Sequence, residues 1–282
     1  MKTYREILKE GEQRLLLAGV ENACGEAWYF FEDAFSMERM DYLLEQNRVC
    51  EKMNQIELFE TYVKRRSEKH IPMQYLLGAQ DFMGLTFKVT PDVLIPRQDT
   101  EVLVEEVLEK AKEKKTVLDM CTGSGCIVIS LAHYGNFERC VGVDLSEGAL
   151  KIAKENGKSL APMVEFINSD LFAGVEGKYD VIVSNPPYIK TNECQNLMSE
   201  VKDFEPMLAL DGHEDGLYFY RRIIKDAKNY LNPGGMLFFE IGYDQGKSVP
   251  AFMQEAGFSE IVLKQDLAGL DRVVYGKYEG GK

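Results

Sequence analysis

Several features are scarce or absent in this sequence, and each absence narrows its class. No apolar run approaches the ~20 residues that a membrane-spanning helix needs, and residues 1–15 are charged and amphipathic rather than typical of a signal peptide. The six cysteines form no Cys-x-x-Cys pair, and the three histidines are dispersed, a pattern that favours neither a disulfide framework nor a zinc site. We therefore expect a cytoplasmic, reduced and metal-free protein without a membrane partner.

The sequence also contains fewer basic than acidic residues. The 282 residues contain 33 lysines and arginines against 46 acidic residues, which gives a formal net charge of -13. Such a surface repels phosphate backbones, which proteins bind mainly through lysine and arginine. We expect no direct nucleic-acid partner, and the hydrophobic content of 45% is typical of an ordinary globular protein.

Three segments differ in their hydrophobic pattern. Residues 1–75 have helical spacing, with an Asn-x-x-Glu capping box at Asn54 and Glu57, and predict a small helical bundle. Residues 76–95 contain glycines, prolines and short β-prone runs, and predict a linker with a β-hairpin. Residues 96–282 alternate strands and helices and predict a doubly wound, mostly parallel α/β sheet. The seven candidate strands lie in residues 116–120, 139–145, 164–170, 179–185, 234–242, 260–266 and 272–278, and the last two are spaced for an antiparallel pair.

A glycine-containing turn follows the first of these strands. Gly123 and Gly125 allow a sharp turn and close approach of a ligand, and Asp119 ends the strand beside them. Asp144 ends the next strand, where a carboxylate can accept hydrogen bonds from two ribose hydroxyls. The third glycine of the dinucleotide fingerprint is missing, since Val128 stands there. The nucleoside could belong to NAD or to S-adenosylmethionine, and a tight turn without a ligand stays open.

Asp170, Leu171 and Phe172 end the third strand beside Asp144. The acid could accept from the exocyclic amine of an adenine, and the two apolar side chains could cover its face. An ordinary strand-to-helix turn would need the same residues, so the pattern alone leaves both interpretations open.

The most informative stretch is Asn185-Pro186-Pro187-Tyr188, at the end of the fourth strand. The prolines have a fixed φ and no N–H, so the turn is rigid and the Pro186 carbonyl is free to accept. Together with the side-chain oxygen of Asn185, it can bind both hydrogens of a planar NH₂ group, while Tyr188 offers a ring face. Such a turn suits methylation of a conjugated nitrogen by a sulfonium. A merely rigid turn is the simpler alternative.

At this point the chain resembles the HemK-type protein-(glutamine N5) methyltransferases, which modify class I peptide chain release factors. The turn Asn185–Tyr188 is shared with methyltransferases that act on adenine or cytosine, whereas residues 96–101 and 204–217 are more specific to the family. The resemblance covers nearly the whole chain, through residues 72–101, 117–132, 142–156, 169–189, 204–223, 231–246 and 266–277.

The resemblance implies a class I, Rossmann-like S-adenosylmethionine-dependent methyltransferase domain and a helical domain that helps dock the release factor. It implies that Asn185 and Pro186 hold the amide of the glutamine in a Gly-Gly-Gln loop, and that Tyr188 packs against it. S-adenosylhomocysteine would be the product, and the chain is expected to be a monomer. The cofactor contacts expected from the motifs are Cys121, Thr122, Gly123, Ser124, Gly125, Asp144, Leu171, Phe172 and Asn185, with Leu94 at the border.

Two positions depart from the family pattern. Cys121 stands where glycine is usual and Gln98 where proline is usual. Since a side chain disfavours positive φ, we expect the first turn of the glycine loop to differ slightly. Glutamine methylation of a ribosomal protein, amino-methylation of a nucleic acid and nucleotide binding without transfer remain the alternatives.

Overall fold

The computed structural model describes residues 1–280, so Gly281 and Lys282 of the predicted third segment lie outside the described residues. The chain divides into two compact units. One comprises Met1–Gly78 together with Ser199–Phe204, and the other comprises Ala79–Met198 together with the chain from Glu205 onward.

The first unit is helical. Aromatic rings fill its core, where Phe31 stacks on Phe35 with ring centroids 4.5 Å apart and meets Phe59 edge-on. The burial of such large apolar side chains is the main source of stability for a small bundle. Its helices are α1 (Tyr4–Leu17), α2 (Ala23–Phe35), α3 (Arg39–Glu45), α4 (Met53–Lys69) and α5 (Met73–Leu77), with α10 (Ser199–Lys202) from the later segment.

Helix starts in this unit are not all where the sequence places them. A capping box does begin α1, where Thr3 and Glu6 each bond the other's backbone N–H. The capping box predicted at Asn54 is wrong, because α4 already begins at Met53 and Lys52 is its N-cap without a side-chain bond. Asn54 therefore lies inside the first turn, where its side chain cannot act as the cap.

The returning segment is tied to this unit by a nearly buried arginine. The Arg66 guanidinium lies 2.6 Å from a Glu26 carboxylate oxygen and 2.7 Å from one of Glu200. A buried arginine requires such partners because an unpaired charge in the interior is costly.

The second unit is built on a seven-stranded sheet, as predicted. The strands of this unit are β1 (Ala79–Phe82), β2 (Leu85–Lys88), β3 (Thr116–Met120), β4 (Arg139–Asp144), β5 (Glu165–Asn168), β6 (Tyr179–Ser184), β7 (Leu231–Glu240), β8 (Ser259–Gln265) and β9 (Asp271–Tyr278). The order in the sheet is β5-β4-β3-β6-β7-β9-β8, with β3 to β7 parallel and β9 antiparallel to both β7 and β8. A separate antiparallel hairpin, β1–β2, precedes the sheet.

Helices cover both faces of this sheet. The central strands are rich in Val, Ile and Leu and are buried on both sides, as parallel strands usually are. Two apolar clusters result, one around Tyr220 and Phe239 and the other around Leu103 and Phe238. The helices are α6 (Glu101–Lys110), α7 (Cys126–Tyr134), α8 (Glu147–Leu160), α9 (Thr191–Cys194), α11 (Tyr218–Tyr230) and α12 (Ser248–Glu255).

Candidate active site

A cleft of about 830 Å³, open in part to solvent, lies at the carboxyl ends of β3, β4 and β6. This edge of an open α/β sheet is where ligands of such folds bind, and the volume is in the range of small-molecule sites. Of the residues predicted from the sequence, those that line it are Leu94, Cys121, Gly123, Asp144, Asp170, Leu171, Asn185 and Pro187.

The loop between β3 and α7 forms one wall. Gly123 and Gly125 have φ of 56° and 82°, the left-handed conformation that glycine adopts without strain. Cys121 has the same conformation, with φ of 60°. The Cys121 side chain therefore does not prevent positive φ at the first turn of the loop. A side chain at Gly123 would point into open space, since no atom lies within 4 Å of its ideal Cβ.

Asp144 is held at the tip of β4 by two backbone amides. Its Oδ2 accepts from the Gly123 N–H and its Oδ1 from the Ser146 N–H, both at 2.9 Å. Burial raises the pKa of this carboxyl, and the backbone amides of Ser146, Gly123 and Leu145 oppose that rise by stabilising its charge. An ionised carboxylate can accept about four hydrogen bonds, so it can accept a further one from a ligand in the cleft.

Asp119 is buried behind the loop and does not line the cleft. The Thr122 hydroxyl donates to it at 2.6 Å, and the pKa of Asp119 is raised to about 7 by burial. Thr122 and Ser124 are buried as well, and the Ser124 carbonyl accepts from Asn156. These loop residues support the turn, and Gly125 lies at its end as the N-cap of α7.

The residues after β5 divide between two environments. Leu171 lines the cleft with φ of 50°, and Asp170 also lines it while pairing with Arg222 at 3.0 Å. Phe172 turns away and stacks on Tyr230, with ring centroids 4.5 Å apart. Leu171 can thus cover a bound ring, whereas the Phe172 ring packs in the core.

The turn after β6 contributes two residues to the wall of the cleft. Asn185 and Pro187 line it, and the hydrogen bonds within residues 1–280 leave both Asn185 Oδ1 and the Pro186 carbonyl without a donor. Pro186 is not among the lining residues, and the partly exposed Tyr188 packs against the apolar core. Burial, followed by the charge of Glu240, raises the pKa of the Tyr188 phenol, which stays protonated.

Other lining residues carried no signal that singled them out. Asp92 follows a proline in an ordinary turn sequence, and Phe219 lies in the first turn of α11. Pro206, Leu208 and Ala209 come from a segment that the family motif includes, without a role assigned from the sequence alone.

This segment is anchored by Glu205, whose carboxylate pairs with Arg97 and accepts from the Ile95 N–H at 3.4 Å. Glu101, four residues after Arg97, instead accepts from the Met83 N–H at 2.6 Å.

Comparison with known proteins decides the family. The "Methyltransferase small domain" model matches residues 97–204, and the "PrmC N-terminal domain" model matches residues 6–78. The release factor glutamine methyltransferase of Geobacter sulfurreducens is 40% identical over 98% of this chain and 96% of its own length. That of Moorella thermoacetica is 43% identical over 96% of both chains. The chain belongs to the release factor glutamine methyltransferase family.

Solved structures agree on the fold of this family member. A methyltransferase from Pyrococcus furiosus superimposes with a TM-score of 0.54 at 18% identity, over 71% of this chain and 91% of its own. The doubly wound α/β prediction is confirmed, and the chain is a methyltransferase whose cofactor is S-adenosylmethionine.

The cleft fits that cofactor by its donor set. The free capacity of Asp144 suits vicinal hydroxyls, the open space at Gly123 admits a ligand close to the backbone, and Leu171 supplies an apolar surface for a purine. Within the described residues, no cluster of three or more His, Cys, Asp or Glu side chains is placed to hold a metal ion.

Proposed function

We propose that this methyltransferase modifies the side-chain amide nitrogen of the glutamine in the Gly-Gly-Gln loop of class I peptide chain release factors. The relatives named release factor glutamine methyltransferase cover nearly its full length at about 40% identity. The observation that supports the proposal is the turn Asn185–Tyr188, which follows β6 at the cleft, where Asn185 and Pro187 line the wall and Asn185 Oδ1 has no donor among residues 1–280.

The chemistry of a carboxamide explains why such a turn is needed. Its nitrogen shares a lone pair with the adjacent carbonyl and is a poor nucleophile. Asn185 Oδ1 and the Pro186 carbonyl would accept both N–H hydrogens, which favours a pyramidal nitrogen and stabilises the positive charge that develops on it. Tyr188 would pack against the amide, and the two prolines hold the acceptors in place before the substrate arrives.

The cofactor supplies an electrophilic methyl group on a sulfonium when it is bound. Asp144 would accept from its ribose hydroxyls, and Leu171 would cover the adenine, with Asp170 near the exocyclic amine. The backbone of the loop Cys121 to Gly125 would pass along the cofactor, and Leu94 and Asn185 would border it. Phe172, Thr122 and Ser124 would act by supporting these residues rather than by contact, since their side chains lie in the interior.

We further propose that the helical segment of residues 1–75 docks the release factor, that residues 76–95 link it to a methyltransferase domain of residues 96–282, and that the chain acts as a cytoplasmic monomer without a nucleic-acid partner. Six free cysteines suit a reducing compartment. Over the described residues, no helix combines the length and apolarity that crossing a membrane requires.

The test incubates the chain and labelled S-adenosylmethionine with purified release factors, ribosomal proteins and nucleic acids, followed by mass spectrometry of each. We expect one methyl group on the Gly-Gly-Gln glutamine. Label on a nucleobase or on a ribosomal protein, with the release factors unmodified, would show that the substrate is wrong. Thermal stabilisation by S-adenosylmethionine and none by NAD is the accompanying expectation.

Asn185→Ala should reduce methyl transfer by at least about a hundredfold, the usual loss when a preorganised polar group is removed from a reacting centre. Cofactor affinity should change little, because the cleft keeps its other walls. Titration calorimetry and single-turnover rates measure the two effects. The control is Asn196→Ala, an exposed amide in the same unit, and wild-type activity of Asn185→Ala would contradict the amide-holding role.

A further inference from the structure

Glu240 is a buried acid directly beside the proposed amide-holding turn. In the parallel pair β6–β7, Ser184 lies opposite Phe239, so the residues that follow, Asn185 and Glu240, are neighbours at the carboxyl ends of the two strands. The Glu240 side chain is 2% exposed, and its Oε2 has no hydrogen-bond partner among residues 1–280. A buried acid without a full set of partners needs an explanation.

Neighbouring polar and charged groups affect the pKa of the Glu240 carboxyl. The Thr100 hydroxyl and the Asn185 amide are hydrogen-bond donors that lower its pKa, and the Arg272 charge acts in the same direction. The effect of burial outweighs these three interactions and raises the pKa of Glu240 to about 7, with a smaller contribution from the negative charge of Asp99. The Asn185 Nδ2 also donates to Thr100 Oγ1 at 3.4 Å. The NH₂ end of Asn185 therefore faces the interior, toward Thr100 and Glu240.

The two ends of an asparagine amide have nearly the same shape but opposite hydrogen-bonding character. A 180° rotation would present NH₂ to the cleft, where two acceptors are needed for an incoming amide. Because an ionised carboxylate can only accept, Glu240 in its ionised form stabilises the orientation in which Nδ2 points inward and Oδ1 points to the cleft. A packed side chain alone would not distinguish the two orientations.

We propose that Glu240, assisted by Thr100, is a positioning residue that keeps the Asn185 side-chain oxygen directed at the substrate nitrogen. This inference rests on the proposed function and adds to it a role for a residue outside the Asn185–Tyr188 turn. Glu240 touches neither substrate nor cofactor in this role, and acts only through the orientation of Asn185.

The first test is Glu240→Gln, which preserves size but presents either an oxygen or an NH₂ to Asn185. We expect kcat for methylation of the release factor to fall by about tenfold to a hundredfold, the range for loss of an orienting partner. KM for the release factor and the cofactor dissociation constant should stay within about threefold, since neither ligand contacts this side chain. The matched control is Glu106→Gln, a buried acid of α6 that is paired with Lys264 at 2.9 Å, which should keep kcat.

The second test exchanges the two groups. Asn185→Asp alone places two carboxylates side by side and should lose activity. Asn185→Asp combined with Glu240→Gln restores one carboxylate and one amide: the NH₂ group at position 240 donates to one carboxylate oxygen at position 185, and the other carboxylate oxygen faces the cleft. We expect the double variant to exceed Asn185→Asp by at least about tenfold, because neighbouring groups of one network are not additive. A purely structural role for Glu240 predicts no such rescue.

Wild-type kcat in Glu240→Gln together with no rescue in the double variant would overturn the proposal. If Glu240→Gln does not fold, as circular dichroism would show, Thr100→Val removes the second partner and should lower kcat in the same selective way. Failure of the proposed function is separate: the wild type would then leave the release factors unmodified, and the same variants would be compared on whichever ribosomal protein or nucleic acid it does modify.

Discussion

Asp144 shows how one side chain can serve both the loop and the ligand. Its carboxylate accepts from the amides of Gly123 and Ser146, which fixes the wall of the cleft and leaves oxygen lone pairs for hydroxyl groups. Any change that alters the acceptor set therefore acts on the loop and on cofactor binding together.

Asp144→Asn should weaken S-adenosylmethionine binding by about tenfold to a hundredfold, because one backbone N–H then faces an NH₂ instead of an oxygen, a loss of about 1–3 kcal/mol. Isothermal calorimetry measures the affinity. Asp180→Asn is the matched control: that carboxylate accepts from the N–H groups of Lys115 and Thr116 at the opposite end of the sheet. It should destabilise the fold while leaving affinity unchanged; equal affinity losses in both variants would contradict the assignment.

Glu240 also makes a prediction about pH. Its pKa is about 7 in the folded chain against an ordinary value of 4.5, because of burial. A carboxyl whose pKa is raised by folding stabilises the fold at pH values below its ordinary pKa, and this stabilisation is lost as the pH rises through 7. Between about pH 5 and about pH 8 the wild type should lose this contribution, whereas Glu240→Gln has none to lose. The unfolding free energy of the variant minus that of the wild type should therefore increase by on the order of 3 kcal/mol over this range.

Urea unfolding at both pH values measures that difference. Asp180→Asn provides the contrast: burial would raise the pKa of Asp180, but hydrogen bonds led by that of Asn232 outweigh it and lower the pKa. Its removal should cost more at neutral pH than in acid. A pH-independent difference for Glu240→Gln would show that the acid is already ionised in the fold.

The turn after β6 depends on a neighbouring segment for its shape. Ile189 N–H donates to the Leu210 carbonyl at 3.0 Å, and Gly212 N–H donates to the Ile189 carbonyl at 2.7 Å. A Cβ on Gly212 would lie 2.8 Å from the Pro187 carbonyl oxygen, closer than such atoms normally approach. Only glycine lets the two backbones pack so closely.

Gly212→Ala should therefore displace the turn and lower kcat by at least about tenfold, since small misplacements of reacting groups are costly. Cofactor affinity should fall much less. The control is Gly257→Ala, where φ is 84° and no atom lies within 4 Å of the new Cβ. That variant should lose about 1 kcal/mol of stability without loss of kcat, and equal rates for the two variants would contradict the argument.

Much of this arrangement could be predicted from the chain because it depends on local pattern. Runs of Val and Ile bounded by turns located the strands, and the short connection after β8 indicated its antiparallel pairing with β9. The exceptions depend on tertiary context. Cys121 takes a left-handed conformation that its residue type disfavours, Asn54 lies within a helix that starts earlier, and Glu240 ends an ordinary strand whose register alone places it beside Asn185.

The charge of the whole molecule bears on its choice of partner. A net charge of -13 opposes the release of counterions that drives proteins onto nucleic acids. We expect no retention of ribosomal RNA or duplex DNA in about 0.15 M salt at protein concentrations near ~10 μM, where non-specific binders with dissociation constants of about 10⁻⁴–10⁻⁶ M begin to associate. Filter binding measures this, with a basic protein as the positive control. Salt-sensitive binding would point to a local basic patch.

Because Ser199–Phe204 returns to the helical unit, the two units cannot be expressed as separate fragments by a single cut in the chain. A truncation that begins at Ala79 removes Arg66 but keeps Glu200, its partner at 2.7 Å, and so leaves that returning segment without the helices it packs on. A separable pair of fragments would need the segment replaced by a short flexible bridge, and a simple cut after Gly78 should yield a product prone to proteolysis at that point.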